Sequence, residues 1–141
     1  MILGTINVSR AQTPESKEPA PKILAVPAVA HIDLTGSWSG HWQDCRSGHS
    51  GKLWAEFCKC DDCHYRVTFT GRFFKIFPFR YSVVLNAIQE GDKVVLMGEN
   101  NLGLLFGTFT YQGEATATDF FAHFSSCRYQ GIFVLSRCCC R

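Results

Sequence analysis

The chain has 141 residues, the size of one domain, and 46% of them are hydrophobic, so it can bury a core without leaning on metal or disulfides alone. Only 18% are charged and the formal net charge is +2. That balance excludes a disordered chain and gives no bulk attraction to nucleic acid or acidic lipid, so any such partner has to be met by a local patch.

Eight cysteines are many for a reducing cytoplasm, where free thiols are a hazard, and suit a compartment in which disulfides persist. The N-terminus points the same way. Met1 to Val8 is apolar, and Ser9 and Ala11 place small residues where a signal peptidase cleaves; a second such position follows Ala28, Val29 and Ala30. No basic region precedes the apolar run. Residues 12–22 are rich in Pro, Glu, Lys and Ser and read as a leader or linker. No stretch reaches the roughly 18 apolar residues of a spanning helix. The expected organisation is a signal-peptide remnant and leader over 1–32, a β domain over 33–137 and a cysteine-rich tail over 138–141, in a secreted, periplasmic or cell-surface protein.

From Asp33 onward apolar and polar residues alternate, and turn-forming clusters recur about every ten residues, the rhythm of an all-β domain. The first strand, 33–43, sets Leu34, Trp38 and Trp42 on one face. The second, 51–60, carries Leu53, Ala55 and Phe57. The third, 63–73, alternates Tyr65, Val67, Phe69, Gly71 and Phe73 with Arg66, Thr68, Thr70 and Arg72, and a one-residue slip there would expose every ring. Pro78 interrupts the next apolar run, so 74–80 is read as a connection. Further strands follow at 81–88, 93–98, 104–111, 115–124 and 131–137, with turns at Gln89–Asp92, Glu99–Gly103, Gly113 and Ser125–Gln130. Eight such segments predict an antiparallel up-and-down barrel, with a two-layer β-sandwich as the alternative.

Leu34, Thr35, Gly36, Ser37 and Trp38 resemble the Gly-x-Trp opening of lipocalins and avidin-like barrels, whose first strand packs a Trp across one barrel end. The chain is also similar to secreted β-rich bacterial proteins of no assigned activity. That similarity runs through Gly36 to Trp42, Gly48 to Gly51, and Gly71 to Phe74 on to Pro78, Phe79, Arg80 and Tyr81. The first resemblance implies a closed barrel; the second implies the extent of the domain.

Strand direction sorts the cysteines. Cys45 and Cys127 fall at one end of a meander, and Cys58, Cys60, Cys63 and Cys138 to Cys140 at the other. Cys45–Cys127 is the expected disulfide, if their Cα atoms come within roughly 4.4–6.8 Å; two free thiols are the alternative. Cys60, Asp61, Asp62, Cys63 and His64 match the covalent haem pattern Cys-x-x-Cys-His, with His64 and Met97 as axial candidates. Cys58, Cys60, Cys63 and His64 also offer zinc a soft ligand set, although the usual second Cys-x-x-Cys is missing. Asp61 and Asp62 read equally well as an ordinary hairpin turn.

His41 and His49 flank Cys45, and His123 approaches Cys127, but no orienting group or oxyanion site accompanies them. Gly48 to Gly51 lacks the spacing of a hydrolase elbow and reads as a turn. The basic and aromatic residues from Arg66 to Arg72 fall on opposite faces, which suits a barrel wall better than a single-strand nucleic-acid platform. The ring-rich segment Phe74 to Phe79 has four fates: packing beneath the barrel, capping a cavity, meeting a partner or touching a membrane surface. The functional expectation is a non-enzymatic barrel whose interior, lined by Trp38, Trp42, Phe57, Tyr65, Phe69 and Phe109, holds a small apolar ligand. A disulfide-stapled interaction domain filled solid, and a metal or haem redox protein, are the alternatives. Cavity volume separates the first two.

Overall fold

The structure, a computed structural model, describes residues 30–104 and 106–138. Most of the expected leader, and Cys139 and Cys140, lie outside the described residues.

Eight strands follow one another: β1 (Gly36–Asp44), β2 (Ser50–Asp61), β3 (His64–Phe73), β4 (Phe77–Glu90), β5 (Lys93–Asn101), β6 (Thr108–Ala115), β7 (Asp119–Ser125) and β8 (Gln130–Arg137). Each pairs antiparallel with the next, and β8 returns to β1, so the sheet is a closed barrel and not a sandwich. Period-two patterning makes this possible. In β6, Phe109, Tyr111, Gly113 and Ala115 are buried while Thr108, Thr110, Gln112 and Glu114 face water. Closure leaves no free edge for another chain to extend.

Three local readings are corrected. Pro78 lies inside β4, paired with Arg72. Lacking an N–H, it can occupy only a non-hydrogen-bonded pair with β3, and its nitrogen then faces the side where β5 does not pair until Asn86. Across that gap Asn100 Nδ2 donates to the Ser82 carbonyl at 2.9 Å, so Asn100 and Asn101 continue β5 instead of forming a turn. Gly113 is likewise no turn. It sits in β6 opposite Ala122, where an added Cβ would come within 2.4 Å of the Phe121 carbonyl oxygen. The true connections fall at 102–107 and 116–118.

The first strand also begins later than its alternation suggests, because Gly36 takes φ +127°, a conformation open to glycine, and turns the chain. The residues before it form a strap across one end of the barrel. Ile32 N donates to Gln89 Oε1, and Gln89 Nε2 returns a bond to the Ala30 carbonyl, both at 2.9 Å. Leu34, fully buried, donates its N–H to the Tyr65 hydroxyl at 3.0 Å and accepts from Trp38 Nε1 at 2.9 Å. Arg137, at the end of β8, donates to the carbonyls of Ala117 (2.7 Å), Thr35 (2.8 Å) and Asp33 (2.7 Å). Its guanidinium lies 4.6 Å from the Trp38 ring centroid, a cation–π contact. Beneath the strap Trp38, Phe57 and Phe120 fill the axis with centroids 5.4–6.5 Å apart.

Candidate functional site

The opposite end is open. There a cavity of about 520 Å³ runs into the barrel between walls that include Trp42, Phe79, Tyr81, Phe109 and Phe133. Phe73, Phe74, Phe77, Leu102, Phe106 and Tyr129 surround its mouth, supplied by the β3–β4, β5–β6 and β7–β8 connections and the strand ends beside them. Why space remains follows from where the rings lie. Inward-facing glycines leave room against the wall: Trp42 packs over Gly51, Phe79 over Gly71 and Phe124 over Gly131. Rings held against the wall in this way leave the axis unfilled.

Few polar groups reach this space. Tyr111 donates its hydroxyl proton to the Tyr81 oxygen at 2.9 Å, and Tyr81 keeps its own proton for a further acceptor. Burial pushes the Tyr81 hydroxyl well above its usual pKa of 10 and that of Tyr111 up to about 12. Both therefore present neutral hydroxyls at ordinary pH. Asp44 lies at the mouth. Burial alone would raise its pKa, but hydrogen bonds from the Ser47 hydroxyl and from the Ser47, Gln130 and Arg46 backbone hold it below the usual 3.8. Its oxygens thus serve to fix the β1–β2 and β7–β8 turns. Trp42 Nε1 is buried with no hydrogen-bond partner among the described residues.

Of the six rings expected to line the interior, Trp42 and Phe109 border the cavity. Trp38, Phe57 and Tyr65 belong to the plug under the strap, and Phe69 sits between the two regions, 4.9 Å from Phe133 and 6.1 Å from Tyr111. The lining residues that sequence reasoning missed are mainly Tyr81, Phe133 and the mouth residues Leu102, Phe106 and Tyr129, whereas Phe74, Phe77 and Phe79 border the cavity, one of the four fates open to their segment. Tyr81 and Phe133 lie on the inward face of their alternating segments and were available to the same reading. Phe79 lies within β4 beside Pro78 and not in a connection.

The cysteines do not form the expected site. Cys45 and Cys127 occupy the same end of the barrel, as the meander requires, but both are exposed free thiols and no bridge joins them. The Cys127 sulfur faces Gly107 on the β5–β6 side instead. Cys58, Cys60 and Cys63 are exposed around the β2–β3 hairpin, and His64 Nδ1 is engaged with Asp61 Oδ1 at 2.8 Å. Among the described residues no three His, Cys, Asp or Glu side chains converge as a metal-binding group, so the ligand set Cys58, Cys60, Cys63 and His64 is not assembled. Asp61 accepts from the Cys63 amide at 2.8 Å, so the haem-like pattern forms the hairpin turn between β2 and β3.

Fold and cavity together define a closed eight-stranded antiparallel barrel, solid at one end and hollow at the other. No family model and no curated protein matches the chain. Its fold is similar to the solved structure of EF1p2_mFAP2b bound to DFHBI, with a TM-score of 0.54 and 16% identity over 74% of this chain and 92% of that one. That neighbour was solved with DFHBI bound, and at this identity the likeness speaks for the fold alone.

Proposed function

We propose that this protein is a non-enzymatic binding barrel for a small, largely apolar and flat ligand, taken up through the open end. The observation that carries the reading is the aromatic cavity of about 520 Å³, inside the roughly 300–1,000 Å³ range of small-molecule sites. A barrel serving only as a scaffold has no need of that space. Stacked pairs near the mouth, such as Phe73 with Phe106 at 15° and Phe109 with Tyr129 at 13°, favour a planar guest. The Tyr81 hydroxyl offers it one oriented hydrogen bond, without charge. Work outside the cytoplasm, within a domain spanning 33–137, is part of the same reading and draws its support from the eight cysteines and the apolar N-terminal segment.

The test is a titration with Nile red, a neutral environment-sensitive dye, under reducing conditions. A single saturable site with a blue-shifted emission is expected. Leu102→Trp, which narrows the mouth from the β5–β6 connection, should weaken it roughly tenfold or more, because the indole occupies space where the dye would bury its own apolar surface. Binding that fails to saturate, or that ignores Leu102→Trp, overturns the reading.

A further inference from the structure

The two barrel ends differ in surface as well as in interior. Around the mouth, Arg46, Lys52, Arg72, Lys75, Arg80 and Arg128 lie in loops or at the adjoining strand ends. Among the described residues none of the six forms a salt bridge. The acids on that side are Asp44, already bonded to its own turn, and Glu99. Asp33, Asp61, Asp62, Glu90, Asp92 and Asp119 gather at the strap end, where Lys59 pairs with Asp62 and Lys93 with Glu114. A net charge of only +2 thus conceals a barrel that is basic at the mouth and acidic at the strap.

The mouth also carries apolar side chains that are strongly exposed among the described residues. Phe74, Ile76 and Phe77 are 58%, 71% and 60% exposed on the β3–β4 hairpin, and Leu104 is fully exposed on the neighbouring β5–β6 connection. The hairpin holds them in a strained turn. Phe74 and Lys75 take φ of +52° and +65°, a conformation usually left to Gly, Asn or Asp. The Phe74 ring leans edge-on against His49, 4.7 Å between centroids, so the tip is directed and not simply loose. Apolar tips that protrude beyond a belt of unpaired cations suit a lipid interface, where the rings enter the acyl boundary and Lys and Arg meet anionic headgroups. A protein partner would more naturally be met by a flat contiguous patch.

We propose that the mouth end docks on an anionic lipid bilayer, with Phe74, Ile76 and Phe77 inserted and Arg72, Lys75 and Arg80 against the headgroups. This goes beyond the cavity reading and does not depend on it. It sets the mouth against the phase in which apolar molecules dissolve.

Flotation of the full chain, reduced, with phosphatidylcholine vesicles and with vesicles that also contain phosphatidylglycerol tests it. The protein should float with the mixed vesicles in a salt-sensitive manner and remain behind with phosphatidylcholine alone. Ile76→Ser combined with Phe77→Ser should cut the bound fraction roughly tenfold or more, from the apolar area no longer inserted. Lys75→Glu should weaken binding about fivefold to tenfold, the loss of about one headgroup attraction plus the new repulsion. All variants should keep the parent's far-UV β spectrum and its cooperative thermal unfolding, which establishes their fold. Equal binding to neutral vesicles, or flotation indifferent to these substitutions, overturns the proposal. So does a failure to float accompanied by a dimer in sedimentation that Ile76→Ser abolishes, since the tips would then meet a second copy. Loss of saturable dye binding in the parent, with lipid-dependent flotation intact, would remove the cavity reading and leave this one standing.

Discussion

The strap end and the mouth end are built from the same materials, inward aromatic rings on alternating strands, and one is a plug while the other is a cavity. Trp38 and Trp42 make the contrast sharpest, since they are four residues apart on one face of β1. Trp38 has its indole N–H bonded to Leu34, its ring covered by Arg137 and its edges against Phe57 and Phe120. Trp42 has an N–H without a partner among the described residues, Phe73 against it and open space beyond. Aromatic content therefore does not decide whether a barrel end is solid. A hydrogen-bonded crosspiece does, because it brings in backbone and Leu34 to complete a layer that strands alone leave unfinished.

The largest effect should come from truncating each tryptophan in turn. Trp38→Ala should destabilise by about 4 kcal/mol, the usual loss for a large ring from a packed core. Trp42→Ala should cost about half as much, because its neighbourhood already contains a cavity and the change removes a buried unpaired donor. Urea unfolding of both variants measures the difference, and equal losses would dissolve the contrast between the ends.

Alkaline unfolding probes the floor of the cavity. Folded Tyr111 keeps its proton up to about pH 12, whereas the unfolded side chain releases it near the usual 10. Between these values the folded state binds more protons. Its stabilisation is complete below pH 10 and is lost as pH rises through the folded pKa, by roughly 2.7 kcal/mol at about 1.36 kcal/mol per pH unit. Tyr111→Phe should lessen that slope and leave the part that buried Tyr81 contributes, as seen by denaturation at a series of pH values.

Arg137→Met, which keeps the stem but removes two bonds to strap carbonyls, one to the Ala117 carbonyl and the contact over Trp38, should cost about 2 kcal/mol. Amide exchange should quicken at Leu34 while β6 residues near the mouth stay as protected as before, since the damage is confined to one end. The smallest change should be a gain. Lys75→Gly relieves a left-handed backbone at the mouth hairpin and should raise stability by about 0.5–1 kcal/mol in thermal melts. A loss there would mean that the lysine stem holds the hairpin by packing.

Much of the architecture was legible because the pleat has period two. The segment from Tyr65 to Phe73 alternates so strictly that its pairing with β2 and β4 follows, and the meander order placed Cys45 and Cys127 at one end and Cys58, Cys60 and Cys63 at the other. Errors arose where a local signal met a tertiary exception. Pro78 and Asn100 look like breakers, yet both are extended, because β4 and β5 part company before Asn86. Gly113 looks like a turn, yet it is there to admit Ala122. The Cys45–Cys127 bridge is not formed, because the meander order fixes which end a cysteine occupies but not whether two turn residues at that end meet.

By itself, the amino-acid sequence determined that strands alternate inside and outside, that they follow one another as a meander, and that enough rings point inward to build a core. Alternation is a property of each residue's neighbours along the chain, so it can be read there. Only the tertiary structure decided which end is filled, that 30–35 crosses as a strap, and that cations and apolar tips share the mouth. Those facts depend on residues far apart in sequence, Gln89 with Ala30 and Arg137 with Asp33, meeting in space, and no local pattern encodes such a meeting.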